Sequence, residues 1–191
     1  MLDSDVFSHS DFCHAGDGPT MKAYQILQGL PEEAAAEIFQ YLYANDKRAY
    51  RACLQVLATR RKLRPIVLER KTRVERHAWM HSELARKSND DAATEVLQTW
   101  LLGAHQQLVC NFLESLGVEH DGRGVLDSLP SEPPRDRLVE AIGPLLQNQS
   151  RFAVIAYLNL FCEMDIADWP TLKQILQEDS RLCLAPQRLA S

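Results

Sequence analysis

The sequence predicts an all-α fold, a single-domain bundle or short α-solenoid of about seven to eight helices on short loops. Apolar residues recur at three- and four-residue spacing from Pro19 onward. No run alternates apolar and polar residues between hairpin turns, so no strand is expected. Proline, Asx and glycine residues stand where helices start and stop, and they leave only short connections.

Each element follows from these signals. Residues 1–18 are rich in Asp, Ser, Gly and His without periodicity and read as a mobile tail; the domain is expected over 19–184, and 185–191 as a loose end. A short helix from about Thr20 to Gln28 stops at Gly29. Pro31 opens the second, with Glu32 and Glu33 at its positive start and Ile38, Tyr41 and Leu42 inward. Asp46 caps a third reaching about Lys62, with Ala49, Cys53, Val56 and Leu57 inward. Pro65 starts a fourth reaching Arg86. Asn89 caps a long fifth, ended at Leu116 by Gly117 in the left-handed conformation. The stretch from His120 to Gly124 reads as a turn. Two helices follow, near Pro134–Gln147 and Ser150–Met164. The second is apolar almost all round, which marks a central helix. Asp168 caps a last short helix.

The charge is uneven. Residues 47–87 hold 13 of the 21 Lys and Arg residues and three of the 26 acids, a net +10 inside a chain of net charge −5. A separated basic block points to a partner: an acidic protein surface first, nucleic acid second. The candidate contact residues are Arg60, Arg61, Lys62 and Arg64 at a helix junction, then Arg70, Lys71, Arg73 and Arg76. At 100° per residue the second set scatters around its helix, with Glu69–Arg73, Lys71–Glu75 and Glu83–Lys87 spaced for i,i+4 pairing. Tyr50 and Trp79 are the aromatics available for stacking on a base. The block also faces an acidic remainder, which allows neutralisation within the chain or head-to-tail self-association.

Other candidates are weaker. His77 and His81 are four apart on one helix without a third ligand, and His81 falls on the stripe Val67, Val74, Ala78, Ala85, so a core position is expected. His105 lies on the apolar face of the fifth helix, either as a packed core residue or as a tuned group in the pocket of a helical enzyme. His120 beside Asp121 pairs an acid with a base in a turn. Five well-separated cysteines form no Cys-x-x-Cys pair and fit a reducing compartment. No phosphate-binding glycine loop or nucleophile elbow is present, so no cofactor or metal is predicted. The amino terminus lacks the pattern of a secretory signal, and no apolar run approaches the ~20 residues of a membrane span. A cytoplasmic protein without membrane attachment is expected.

Leu30-Pro31-x-Glu33, Ile38-Phe39, Leu42, Val56 and the basic Arg60-Arg61-Lys62-Leu63 resemble the opening of an F-box, a three-helix adaptor module, over about 33 of the 191 residues. The chain departs from that pattern at Ala34–Ala36, where larger residues are usual, and no Trp follows the basic run. The predicted activity is binding, without catalysis.

Overall fold

A computed structural model describes residues 20–124, 126, 128, 131–163 and 168–184. The tail and the loose end expected at the termini lie outside these residues. Among the described residues there are ten α-helices, two short 3-10 turns and no strand. The all-α expectation holds, with a helix count above seven to eight because two predicted helices are each divided.

The helices are α1 (Ala23–Gly29), α2 (Glu32–Asn45), α3 (Lys47–Arg60), α4 (Pro65–Glu69), α5 (Arg73–Leu84), α6 (Asp90–Ala104), α7 (Gln106–Ser115), α8 (Arg135–Asn148), α9 (Arg151–Glu163) and α10 (Pro170–Glu178). Among the described residues nearly all the buried apolar side chains belong to one contiguous cluster. Helix α9 supplies its centre: every residue from Ala153 to Cys162 is buried, and α1, α6, α8 and α10 pack around it. Helices α2, α3 and α5 make the opposite flank, with α1 and α6 between the two. No helix among the described residues is long and apolar enough to cross a membrane.

Local chemistry sets several boundaries as expected. The Asp46 carboxylate accepts the Ala49 N–H at 2.9 Å and caps α3. Gly117, at φ 72, ends α7: its N–H reaches Glu114 O and Val118 N–H reaches Leu113 O. Other boundaries differ. The fourth predicted helix breaks after Glu69, because Thr72 caps α5 and the Glu75 carboxylate returns to the Thr72 N–H at 2.8 Å. The break takes Val67 and Val74 out of the predicted core stripe, and both are exposed. The fifth breaks at His105, whose φ and ψ of −124° and 27° leave the helix. Gly103, just before, lies against Tyr41 of α2, and a Cβ there would strike the Tyr41 hydroxyl. Asn89 does not cap α6; its amide donates to Glu83 O at 2.7 Å. The cap of α10 comes from Glu132, which accepts the Leu172 N–H at 2.9 Å, and not from Asp168. On α3, Tyr50 and Leu54 are buried and Val56 is exposed, a rotation of the predicted inner face.

Candidate functional site

The basic block divides into two environments. At the end of α3, Arg60 donates to both carboxylate oxygens of Asp91, at 2.9 and 2.6 Å, and to the Asn89 side chain at 2.9 Å. These bonds hold the Asp91 carboxyl down at about 2. Arg61 sits 2.9 Å from Glu83, whose side chain is only 3% exposed, and Arg86 approaches the same oxygen at 3.5 Å. These are charge contacts, out of line for hydrogen bonds. Glu83 therefore pairs with Arg61 and Arg86, not with Lys87 as helix spacing implied. The sharpest part of the predicted site thus ties α3, α5 and α6 together.

The other environment follows immediately. Every residue from 61 to 75 is exposed except Leu68, which is buried and anchors α4. Lys62, Arg64, Arg70, Lys71 and Arg73 project from this elbow, and none of them forms an ion pair among the described residues. Between them stand exposed Leu63, Ile66 (51%), Val67 (48%) and Val74 (79%). Lys62 occupies the left-handed region at φ 54. Arg73 lies over the Tyr43 ring, 4.9 Å from its centroid. Arg76 is half-buried, donates to Lys71 O at 3.1 Å and lies beside the buried Tyr50 hydroxyl without aligning to it.

A groove of about 580 Å³ opens beside the elbow, between α2 and α5. The two helices run antiparallel: Arg73 meets Tyr43, the His77 ring lies 5.7 Å from Phe39, and His81 reaches back to the end of α1. Glu32 and Glu33 stand at one end, Arg73 and Gln40 at the other, with Ala35, Ala36, Val74 and Ala78 between. His77 forms part of the wall. It is buried, its Nε2 has no hydrogen-bond partner, and burial together with Arg73 and Arg76 lowers its pKa from 6.5.

The remaining candidates fall mostly into structural roles. His81 is buried, and its Nε2 lies 2.7 Å from Leu27 O, a contact that requires the Nε2–H tautomer. His105 is half-buried at the α6–α7 break with its ring edge-on to Trp100 at 4.5 Å, and burial lowers its pKa. It lines neither the α2–α5 groove nor the small void near Cys53. His120 and Asp121 shape their turn: His120 Nδ1 accepts the Gly122 N–H at 3.1 Å, and Asp121 accepts the Arg123 N–H at 2.7 Å. Cys53, Cys110, Cys162 and Cys183 are free thiols, and burial pushes Cys53 and Cys162 up to about 12. No cluster of three or more metal-ligating side chains occurs among the described residues.

Sequence reasoning missed the groove, since α2 and α5 meet only through tertiary packing. It also missed the exposed apolar residues of the elbow, although the Thr72-x-x-Glu75 capping box was a signal for the break that exposes them. Compared with known proteins, the chain matches no family model, no curated protein and no solved structure.

Proposed function

We propose that the chain is an interaction protein that docks an acidic protein partner on the elbow of residues 61–75. The observation that carries this reading is the exposure of the whole elbow apart from Leu68, with free cations and apolar side chains interleaved. Exposed aliphatic side chains are ordinary when single; several on one protruding segment, rimmed by one sign of charge, fit an interface with an apolar centre and a polar edge. Arg64, Arg70, Lys71 and Arg73 steer a partner's carboxylates, and Ile66, Val67 and Val74 supply buried area. Arg60 and Arg61 support the elbow from the α3 side, and Arg76 braces its end.

An acidic protein is favoured over nucleic acid. Tyr50 is buried and Trp79 half-buried, so neither aromatic of the block offers an open stacking face. The aliphatic residues of the elbow have no counterpart in a phosphate backbone. Affinity capture from extracts of the source cells, followed by mass spectrometry, tests the reading. Wild-type protein is expected to retain acidic proteins after nuclease treatment, and the variant Arg70→Glu with Lys71→Glu to lose them. Capture that disappears with nuclease transfers the elbow to nucleic acid. Capture that survives the charge reversal refutes the reading.

A further inference from the structure

We propose that the α2–α5 groove receives one helix of the protein partner, whose carboxylate meets Arg73 and whose Lys or Arg meets Glu32 and Glu33. The inference rests on the elbow reading, since Arg73 and Val74 belong to both surfaces.

The dimensions fit a helix. From Glu32 to Gln40 the chain makes eight helical steps along α2, or ~12 Å at 1.5 Å per residue, a little over two helical turns. Alanines at 35, 36 and 78 make a low floor. A third helix can approach such a floor to within the ~8–10 Å axis separation of packed helices, which larger side chains would prevent. Val74, among the most exposed aliphatic residues of the chain, stands on the wall where an incoming apolar side chain would cover it.

The charges restrict the occupant further. The groove carries carboxylates at one end and a guanidinium at the other, and neither Glu32 nor Glu33 forms an ion pair among the described residues. A segment bearing only acids gains at Arg73 and is repelled at Glu32 and Glu33. A segment with one charge of each sign, two turns apart, is complementary throughout. His77, in the groove wall, is buried and its Nε2 has no hydrogen-bond partner. Buried unpaired groups are uncommon, and they mark a place where an additional polar contact has much to gain.

Three stapled helical 14-residue peptides sharing a Leu/Ala face test the inference against the full chain by fluorescence anisotropy. One carries Glu at one end and Lys at the other, one carries Glu at both ends, and one carries Lys at both. The Glu/Lys peptide is expected to bind at least tenfold tighter than the other two. Ala36→Trp, which fills the floor, and Arg73→Glu should each weaken it at least tenfold. Ala78→Trp, which fills the same floor from the exposed α5 side, replaces Ala36→Trp if the latter lowers the melting temperature.

Equal binding of the Glu/Glu peptide overturns the role given to Glu32 and Glu33. Binding that ignores the groove-filling variants but is lost with Arg70→Glu and Lys71→Glu overturns the groove and leaves the elbow reading intact. Absence of binding by all three peptides overturns the groove alone, because the elbow reading stands or falls on the capture experiment. A chain dimer in solution that Ala36→Trp dissociates assigns the groove to a second copy and overturns the partner helix.

Discussion

The two halves of the basic block resemble each other in composition and differ in what surrounds them. At the α3 corner, Arg60 and Arg61 are held by Asp91 and by a buried Glu83. On the elbow, Arg64, Arg70 and Lys71 face water beside Ile66 and Val67. Charge density along a chain therefore does not separate cations that hold a fold together from cations that are free to meet a partner. The separation depends on which acids the fold brings across from other helices.

Charge reversal breaks this comparison most directly. Arg61→Glu places a second carboxylate beside one that is already buried, and Arg86 alone remains to offset it. Removing one partner of a buried pair costs about 3–5 kcal/mol; because the Arg61 side chain is half exposed and solvent screens it, a loss below that range is expected, about 2–3 kcal/mol. Arg70→Glu with Lys71→Glu touches no such partner and should stay within about 0.5 kcal/mol per substitution. Urea denaturation of both variants checks the contrast. Equal losses would dissolve the distinction between corner and elbow.

What was legible in the sequence was local. Asp46 and Gly117 mark helix ends through atoms three to five residues away, and both behave as their residue types require. The all-round apolar pattern of α9 identified the centre of the fold because no exposed orientation of that helix exists. Asn89, by contrast, is a good capping residue whose amide is drawn to Glu83 O by the neighbouring corner. The break at His105 arises where Gly103 meets Tyr41 from another helix, a contact no local pattern encodes. Glu83 draws Arg61 from far along the chain and Arg86 from the next turn, although Lys87 stood at the favourable helical spacing. The candidate site followed the same rule: its cations were visible, their division into paired and free was not, and the groove required α2 and α5 to be placed together.

Acidification sharpens the comparison along another axis. His77 has a folded-state pKa below its ordinary 6.5, because burial and then Arg73 and Arg76 disfavour the imidazolium. The unfolded chain then binds the proton more readily, so this contribution is fully present above pH 6.5 and is lost as pH falls through the folded value. The Phe39 and Tyr50 rings that face His77 carry no charge to offset the added proton. Asp91, with its pKa near 2, keeps its charge over the same range, and the corner should be unaffected. Melting temperature is expected to fall between pH 7 and pH 5, and His77→Gln should flatten that fall. His105, also lowered by burial, accounts for a remaining part that His105→Gln removes. A pH response unchanged by either substitution would place the titration elsewhere.

The smallest effect separates shape from charge within the elbow. Lys62 and Gly117 end their helices with the same pair of hydrogen bonds: Lys62 N–H to Thr59 O and Leu63 N–H to Ala58 O in one, Gly117 N–H to Glu114 O and Val118 N–H to Leu113 O in the other. Both residues are left-handed, at φ 54 and φ 72, but only Lys62 carries a Cβ. The left-handed conformation costs an L-residue roughly 1–2 kcal/mol, and glycine gives part of that back through the greater freedom of its unfolded chain, about 0.4–1 kcal/mol. Lys62→Gly should therefore stabilise by a few tenths to about 1 kcal/mol. By the same balance Gly117→Ala should destabilise by a few tenths to about 1 kcal/mol, and with nothing within 4 Å of the added Cβ no clash adds to it. Thermal melts of the two variants check the signs. If Lys62→Gly raises stability while weakening partner capture, a lysine in a strained position that glycine would fill better is contributing its charge to the elbow, and stability alone would not have selected it there.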